Sequence, residues 1–322
     1  MTRRTIATGI ASLGTAAAIV WCASIARPVS AAPAAEPATI RVGATTNDTS
    51  SEVYYAQERG YFKSRNLTVA IESLRSGAAI AAAVVGGSLD VGEQNMISGS
   101  SAHERGVPLT FITPAGAYVS KSPTTLLVVK KSSPIHSAKD LNGKTVAVQA
   151  LKDLTQIGTA EWIDKHGGDP SSVHFVEVPA AQVGEVLERG TVDAATVPEP
   201  SLTVARPFVR EIGRPYDAIA SHFVINGWFA TTDWVKKNPS AARRFVDAIA
   251  EAGRWANANH KASAEILKHY SKISPDVIDS MTRATYADRF STATLQPVID
   301  SAAKYKAIAK SFPASELYDA SL

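Results

Sequence analysis

The sequence predicts an α/β protein built from two similar lobes, each with a mainly parallel sheet, that are joined by a hinge of two strands. Three observations predict this fold class. A strand–helix–strand–helix–strand order occupies residues 39–92, the same order returns at 144–197, and two β-branched runs lie at 125–130 and 222–230. Right-handed crossovers between successive strands place such units in parallel sheets.

The chain opens with the pattern of an export signal. Residues 1–31 combine a basic start, an apolar stretch over 6–26 and small residues at Val29 and Ala31, which is what a secretory signal peptide requires. We therefore expect cleavage after Ala31. A membrane anchor is the alternative for 6–26, although its several Thr, Ser and Gly residues make it weakly apolar. The paired arginines near the start also allow twin-arginine export.

The chain that follows this signal has the composition of a neutral globular protein. All 322 residues together contain 33 Lys and Arg against 30 Asp and Glu, and 45% are hydrophobic. Residues 1–31 hold three arginines and no acidic residue, so 30 basic and 30 acidic residues remain after cleavage. This balance argues against nucleic acid or an anionic membrane as partner. Cys22 is the single cysteine and leaves with the signal, so the mature chain has no thiolate nucleophile and no disulfide.

Both repeated units have strands and helices of similar length. The first unit predicts strands at 39–45, 67–74 and 88–92 and helices at 52–63 and 77–85. The second predicts strands at 144–149, 173–178 and 191–197 and helices at 153–165 and 181–188. Gly-Ser-Leu-Asp-Val at 87–91 matches Gly-Thr-Val-Asp-Ala at 190–194, with Gly ending a helix and Asp opening a strand. The matched spacing of five elements favours two similar lobes over a chance recurrence of βαβ units.

The remaining segments complete the predicted domain organisation. The run at 125–130 leaves the first lobe, the run at 222–230 returns to it, and the residues that follow are helical. We expect the first lobe to comprise 38–126 and 230–322 and the second lobe to comprise 127–229. Two strands that pass between lobes form a hinge.

Ligands of open parallel sheets bind beyond the carboxyl ends of the strands, so two facing lobes enclose a cleft. The loops expected to line it are 45–49, 75–78, 93–97, 150–155 and 198–201. Several helices begin in these loops and direct free backbone N–H groups into the cleft. Because Arg75 and Lys152 lie beside two such helix starts, we expect a ligand with an acidic head group. Trp228 is a candidate for stacking on the ligand.

The sequence motifs that would indicate catalysis are weak or incomplete. Gly143-Lys144-Thr145 resembles the end of a P-loop, but Ala138 stands where the first glycine would be needed. The seven histidines lack the spacing of metal ligands. Glu93 and Glu199 fall in facing loops and could form an acid/base pair, but we favour contacts with a ligand or between lobes, because no other catalytic group accompanies them. We expect no enzymatic activity, no cofactor and no metal.

Five strings carry a family resemblance: 54–69, 76–92, 138–148, Val-Pro-Glu-Pro at 197–200 and Trp-Val-Lys-Lys-Asn-Pro at 234–239. Together they resemble the solute-binding proteins of ABC importers, specifically the nitrate/sulfonate/taurine group and its thiamine-pyrimidine relatives. The resemblance implies a type II periplasmic-binding-protein fold, hinge closure around a small molecule and delivery to a membrane permease.

The resemblance also implies which residues touch ligand. These are Thr46, Asn47, Ser76, Gly77, Gln94, Asn95, Lys152, Thr155 and Glu199. The family often has an aromatic residue just before the Glu-Pro pair, where this chain has Val197-Pro198. This departure leaves the ligand open among sulfonates, nitrate, carboxylates and pyrimidines.

We therefore expect a monomeric periplasmic solute-binding protein with a small organic, anionic ligand and an ABC-transporter permease as its partner. One alternative is an enzyme of the thiamine-pyrimidine or menaquinone-precursor type on the same fold. The eukaryotic pyrimidine synthases of the resemblance carry a cysteine-rich motif, which a cysteine-free chain cannot supply. The other alternative is a ligand-binding protein that serves a periplasmic sensor.

Overall fold

The computed structural model describes residues 36–322, together with the isolated residues 1, 2, 5, 7 and 9. The expected signal at 1–31 and its cleavage site therefore lie almost entirely outside the described residues. Residues 36–322 belong to one compact unit. Within the part of the chain that is described, no helix combines the length and the apolar character needed to cross a membrane.

The first lobe is built on a five-stranded mixed sheet. Its strands, numbered in chain order and given in sheet order, are β2 (Leu67–Ser73), β1 (Ala38–Ala44), β3 (Val91–Asn95), β12 (Asn226–Thr231) and β4 (Leu109–Pro114). β1 is parallel to β2 and β3, while β12 is antiparallel to both of its neighbours. The connecting helices are α1 (Glu52–Glu58), α2 (Gly77–Val85) and α3 (Met96–Glu104).

The second lobe repeats this plan. Its sheet order is β10 (Val209–Gly213), β6 (Thr125–Lys130), β9 (Ala194–Pro198), β7 (Thr145–Val148) and β8 (His174–Glu177). β7 is parallel to β8 and β9, while β6 is antiparallel to both of its neighbours. The helices of this lobe are α4 (Leu154–Lys165), α5 (Val183–Glu188), α6 (Ser201–Ala205) and α7 (Pro215–Ile219).

Equivalent hydrogen bonds connect the matched aspartates of the two lobes to the first strand of each unit. Asp90 Oδ2 accepts from the backbone N–H of Arg41 at 2.8 Å, and Asp193 Oδ2 accepts from the N–H of Thr145 at 2.9 Å. Each aspartate also donates its own N–H to the carbonyl of that same partner. The matched sequences therefore form the same pair of hydrogen bonds in each lobe.

The strands that link the lobes differ in part from those predicted. β5 (Gly116–Val119) pairs antiparallel with β11 (His222–Val224), and β13 (Thr285–Tyr286) pairs with the other edge of β5. The run at 125–130 is instead β6, inside the second-lobe sheet, so its assignment to the hinge was wrong. The run at 222–230 divides between β11 and the first-lobe strand β12.

The same two strands bear on the expected limits of the lobes. β6 and β12 occupy equivalent places, each antiparallel to the third strand of its parallel unit. Residue 125 therefore already lies in the second-lobe sheet and residue 226 already in the first-lobe sheet, where limits at 126 and 229 were expected. A β-branched run predicts a strand, but the sheet it joins depends on distant partners.

Five helices form most of the C-terminal part. They are α8 (Thr232–Lys237), α9 (Pro239–Ala258), α10 (His260–Tyr270), α11 (Pro275–Ser280) and α12 (Thr292–Lys304). As predicted, α9 packs on the first lobe, where Phe245 shares a buried cluster with Ile40 of β1. α12 also contacts the second lobe, because Ile299 lies in the same cluster as Leu154 and Ile157 of α4.

Candidate functional site

Two adjoining cavities lie where the strand ends of the two lobes face each other. The first, which we call the polar cavity, has a volume of about 230 Å³, and its lining includes Thr45, Gly77, Glu93, Gln94, Asn95 and Asp153. The second, the proline-loop cavity, has a volume of about 210 Å³, and its lining includes Asp48, Thr124, Pro198, Glu199, Pro200 and Thr282. Asn47, Thr49, Gln149, Tyr216 and Ile225 line both. Both lobes therefore contribute to one continuous region.

Two helices of the first lobe begin at the polar cavity. Ser76 Oγ accepts from the N–H of Ala79 at 3.3 Å, and Asn95 Oδ1 accepts from the N–H of Ser98 at 2.8 Å. These are the side-chain caps that polar residues provide before a first turn. At Gly77 an added Cβ would lie 3.3 Å from Cβ of Gln94, so glycine allows the start of α2 to approach β3 closely. The positive end of α2 therefore borders the cavity.

Glu93 is the most deeply buried carboxyl group of the polar cavity. Asn226 Nδ2 donates to its Oε1 at 2.5 Å, and Thr45 Oγ1 donates to its Oε2 at 3.2 Å. Asn226 Nδ2 also lies 3.1 Å from Ser50 Oγ. Burial raises the pKa of Glu93, although these hydrogen bonds oppose the shift. The arrangement gives Glu93 a defined position, and no ion pair with a cation of residues 36–322 neutralises it.

Two further groups of the polar cavity have unused hydrogen-bonding capacity. Gln94 is 4% exposed and Asn226 is 2% exposed. Among the described residues, neither Gln94 Nε2 nor Asn226 Oδ1 has a hydrogen-bond partner. A Cβ added at Gly99 would lie 3.6 Å from Gln94 Nε2, and one added at Gly116 would lie 2.8 Å from Asn226 Oδ1. Both unpaired atoms are therefore enclosed by protein, at a cost in stability.

Asp48 lies at the base of the proline-loop cavity and is paired with Arg283. Arg283 Nε donates to Asp48 Oδ2 and Nη2 donates to Oδ1, both at 2.8 Å, while the N–H of Ala284 donates to Oδ2 at 2.7 Å. The hydroxyl of Tyr55 accepts from Arg283 Nη2 at 2.9 Å. The Asp48 and Arg283 side chains are 8% and 10% exposed. The Asp48 charge is therefore balanced within the protein.

Contacts across the cleft join the two lobes. Asn95 Nδ2 donates to Asp153 Oδ1 at 2.8 Å, and Glu199 Oε1 accepts from the N–H of Thr282 at 3.3 Å. Glu199 Oε2 also accepts from the N–H of Thr203 within its own lobe at 3.0 Å. Burial raises the pKa of Asp153, against the effect of the Leu154 N–H and Asn95. Each of these carboxyl groups has a structural partner, and Glu93 and Glu199 line different cavities, which favours binding or closure over acid/base chemistry.

Five of the residues predicted to touch ligand line the cavities: Asn47, Gly77, Gln94, Asn95 and Glu199. Thr46 is half-buried but lies outside the lining of both. Ser76 is exposed and acts as the cap of α2. Thr155 is 1% exposed, and its Oγ1 accepts from the N–H of Gln149 at 3.1 Å. Thr155 therefore stabilises a loop that lines the cleft, but Thr155 does not line the cleft itself.

The two predicted cationic contacts lie elsewhere. Arg75 and Lys152 are exposed and line neither cavity. Lys152 adopts a left-handed backbone conformation with φ of 58°, and its N–H donates to Gln156 Oε1 at 2.6 Å. Proximity in sequence to a helix start does not determine the direction of a long flexible side chain.

The stacking role expected of Trp228 is also corrected. Its side chain is fully buried in the first-lobe core, with its ring centroid 6.0 Å from that of Phe245 on α9. Trp228 lies opposite Glu93 on β3, but it is farther along β12 than Asn226, where Phe245 of α9 and other core side chains cover the indole. The face that a strand residue presents depends on register, which the sequence of an isolated run does not state.

Sequence reasoning did not select several residues that line the cleft. Asp48 and Asp153 fall in loops that were predicted to line it, so the loop assignment located them without identifying the side chains. Asn226 and Tyr216 follow β11 and β10, and no local pattern places either of them at the cavities. Their positions come from strand pairing and from the packing of α7 against α4.

Comparison with known proteins agrees with this architecture. A family model described as "NMT1/THI5 like" matches residues 47–263. The chain is 23% identical over 247 residues to the 4-amino-5-hydroxymethyl-2-methylpyrimidine phosphate synthase THI13 of Saccharomyces cerevisiae, covering 73% of this chain and 70% of that protein. It is 22% identical over 237 residues to the putative binding protein YtlA of Bacillus subtilis, covering 71% and 69%.

Solved structures show the same fold. The periplasmic aliphatic sulphonate binding protein SsuA of Escherichia coli superposes with a TM-score of 0.73 at 17% identity, covering 88% of this chain and 92% of that one. The periplasmic nitrate-binding protein NrtA of Synechocystis PCC 6803 gives 0.66 at 15% identity, covering 86% and 83%. The chain therefore has the two-lobe fold of periplasmic binding proteins.

Proposed function

This chain belongs to the NMT1/THI5-like family, and from that premise we propose that it is a solute-binding protein that captures a small organic molecule between its lobes and delivers it to an ABC-transporter permease. The observation that carries this proposal is the polar cleft, to which both lobes contribute and which Asn95–Asp153 and Glu199–Thr282 bridge. Capture in this form requires only that the bound molecule favour the closed arrangement.

Closure around a ligand follows from how the lobes are joined. The short strands β5 and β11 carry the chain between two separately folded sheets. Two hydrogen bonds across the cleft contribute about 0.5–1.5 kcal/mol each, or about 1.5–3 where a charged group takes part. A ligand that hydrogen-bonds to both lobes adds to this balance and shifts it toward the closed state.

The residues of the cleft favour a ligand that is neutral or cationic and carries N–H donors. Of the described residues that line the two cavities, none has a cationic side chain, whereas four carry carboxyl groups: Asp48, Glu93, Asp153 and Glu199. Arg283 balances Asp48, which leaves Glu93, held by Asn226 and Thr45, as the most deeply buried carboxyl group of the polar cavity. We therefore propose an amine, an amide or an amino-substituted heterocycle.

An anionic ligand, the class expected from the sequence, is the second candidate. The start of α2, which borders the polar cavity, could bind an acidic head group through its neutral backbone N–H groups. Two of the structural neighbours are described as binding sulfonate and nitrate. Arg75 and Lys152 play no part in this version of the site.

Ligand screening by calorimetry and thermal shift tests the proposal. We expect a 4-aminopyrimidine to bind better than ethanesulfonate, and a ligand at a hundred times its Kd to add about 2.7 kcal/mol to the free energy of unfolding. Glu93→Gln should weaken binding of the N–H donor ligand, while Arg75→Ala serves as the control that leaves affinity unchanged. A preference for ethanesulfonate over the 4-aminopyrimidine would instead establish the anionic class.

Scattering measurements test the closure. The radius of gyration should decrease when the identified ligand is added, because closure brings the lobes together. A radius that stays constant while calorimetry detects binding would contradict hinge closure. Mass spectrometry of ligand recovered from the protein separates binding from catalysis, since an unchanged mass supports a binding protein and a changed mass supports an enzyme related to the yeast synthases.

Export and the free, monomeric state are part of the same proposal. Residues 1–31 have the pattern of a signal that is cleaved after Ala31. Intact-mass analysis of periplasmic protein should therefore find a chain that begins at Ala32 and carries no lipid, and light scattering should give the mass of one chain. Retention of residues 1–31 would support the membrane-anchor alternative.

A further inference from the structure

An apolar groove lies beside the proline-loop cavity, between α6 of the second lobe and the start of α11 of the first. Its volume is about 470 Å³. The apolar side chains that line it include Pro200, Val204, Ala205, Phe208, Ile273 and Val277. Glu185, Glu188 and Lys272 are its charged members. Because residues of both lobes form it, the groove has this shape only when the lobes are together.

Two side chains of this groove are unusually exposed for their type. Val204 is 57% exposed and Phe208 is 48% exposed, whereas the large apolar side chains of the described core are almost fully buried. Neighbouring apolar groups that remain in contact with water are characteristic of surfaces that receive an apolar partner. Covering them would contribute about 25 cal/mol for each Å² removed from water.

The groove and the ligand cleft share lining residues. Ala180, Pro200 and Ser201 line both the groove and the proline-loop cavity. The proline-loop cavity in turn shares Asn47, Thr49 and Tyr216 with the polar cavity. The groove therefore adjoins the proline-loop cavity, which in turn adjoins the polar cavity. Amide and carboxyl groups lie at one end of this series and aliphatic and aromatic groups at the other.

We propose that the groove binds an apolar arm of the captured solute, whose polar head group lies in the polar cavity. This inference rests on the proposed function and narrows its ligand to small amphiphilic molecules. Since the arm would contact Val204 in one lobe and Ile273 in the other, it would stabilise the closed arrangement directly. The length of the arm, and not only the chemistry of the head group, then determines affinity.

A homologous series of ligands tests the arm. The probes are linear primary alkylamines from propylamine to octylamine and the matching alkanesulfonates, titrated by calorimetry. In the series whose head group binds, we expect Kd to decrease by about two- to fourfold for each added methylene, as partial to full burial of a methylene predicts. Val204→Gln should reduce this dependence by at least half and leave the Kd of the shortest member unchanged.

Val85→Gln is the matched control. Val85 lies at the end of α2, is 50% exposed and does not line the groove. The Kd of the Val85→Gln protein should therefore depend on ligand chain length as it does for the parent protein. An equal dependence in all three proteins would overturn the proposal, as would a Kd that does not change with length, because the arm would then lie elsewhere. Failure of both series at every length would also overturn it, since the longest members carry the arm that the groove should hold.

The same titrations separate this inference from the proposed function. If propylamine and propanesulfonate fail while octyl members bind in a manner sensitive to Val204→Gln, the arm is supported and the proposed head group is wrong. If short members bind and length has no effect, the solute-binding function stands and the groove serves a different partner.

Discussion

Both lobes present an acidic side chain to the proline-loop cavity, yet the two carboxyl groups are held in different ways. Asp48 of the first lobe accepts from two nitrogens of Arg283 and from the Ala284 N–H. Glu199 of the second lobe accepts from two backbone N–H groups, those of Thr203 and Thr282, and its nearest cation is 3.5 Å away. All the partners of Asp48 belong to its own lobe, whereas one partner of Glu199 belongs to the other lobe.

This difference separates the two surfaces of the cleft. The first-lobe surface, formed by Asp48, Glu93 and Asn226, is assembled inside one lobe and is complete whether or not the lobes meet. The second-lobe surface, formed by Asp153 and Glu199, gains contacts only when the lobes come together. We infer that the first surface is preorganised for ligand, while the second makes its inter-lobe contacts only when the lobes close. Three substitutions test this comparison and a fourth tests a carboxyl group buried near Asp48 and Glu93, from the largest expected effect to the smallest.

Arg283→Ala should have the largest effect. It leaves the buried Asp48 carboxylate without its cation, and breaking a buried ion pair costs about 3–5 kcal/mol of stability. Urea denaturation measures this loss. Arg254→Ala is the control, because Arg254 pairs with Asp288 at the surface, with side chains 58% and 51% exposed, and such pairs contribute about 0–1 kcal/mol.

A second substitution sharpens this test. Asp48→Asn in the Arg283→Ala protein removes the buried charge and should recover part of the lost stability. Equal losses for Arg283→Ala and Arg254→Ala would show that the first-lobe surface does not depend on its internal ion pair.

Glu52→Gln should change the pH dependence of stability. Glu52 is 1% exposed, and in the described structure neither of its carboxyl oxygens has a hydrogen-bond partner. Burial, with the nearby charges of Glu93 and Asp48, raises its pKa well above the ordinary value of 4.5. Its contribution to stability is therefore fully present below pH 4.5 and is lost as the pH rises toward the folded-state pKa.

Denaturation of the parent and Glu52→Gln proteins between pH 4.5 and 8 measures this effect. The stability of the variant relative to the parent should increase with pH, with a slope of up to about 1.4 kcal/mol per pH unit, the limit for one proton. Glu58→Gln, an exposed position that ends the same helix, is the control. Parallel curves for all three proteins would exclude a buried neutral carboxyl group at Glu52.

Asn95→Asp should favour the open arrangement. Aspartate keeps the cap of α3 but replaces the donor to Asp153 with a second carboxylate, so closure would bring two negative charges together. We expect a larger radius of gyration without ligand and roughly tenfold weaker binding of the identified ligand, which corresponds to about 1.4 kcal/mol.

Exchange of the two side chains provides the rescue. In Asn95→Asp combined with Asp153→Asn, the hydrogen bond can form in the opposite direction, so both the radius and the affinity should return toward the parent values. If the double variant behaves like Asn95→Asp alone, the contact between these residues does not control closure.

Glu199→Gln should have the smallest effect on stability. The amide oxygen can still accept one of the two backbone N–H groups, although the amide nitrogen then faces the other. The lost interaction with Arg206 involves a guanidinium group that is 53% exposed. We expect a stability loss of about 1–2 kcal/mol, against a larger loss for Asp48→Asn. Similar losses for the two carboxyl substitutions, measured by the same denaturation, would remove the distinction between the two surfaces of the cleft.

Much of the fold could be predicted from the sequence because it rests on local rules. The five elements of each unit follow from hydrophobic periodicity and from glycine at helix ends, and these signals act over a few residues. The matched strings at 87–91 and 190–194 even located the aspartates that join the first and third strands of each unit. The loops of the cleft followed from one general rule, that the carboxyl ends of parallel strands face the ligand.

The side chains of the cleft followed those rules only in part. Gln94 and Asn95 end a strand and Gly77 begins a helix, so their positions are set by the backbone that the local pattern predicts. Arg75 and Lys152 also lie beside helix starts at the cleft, but their long side chains are exposed to solvent. For such residues, location in the sequence does not determine location of the charge.

The sequence by itself therefore determined the repeated units, the parallel strand order and the loops that border the cleft, because each depends on neighbours in the chain. Only the tertiary structure decided which strands link the lobes, that Trp228 faces the core, and that Asp48 pairs with Arg283, 235 residues away. These outcomes depend on sheet register and on contacts between distant segments. Their energies arise only once both partners are brought together, so neither partner's local sequence carries the signal.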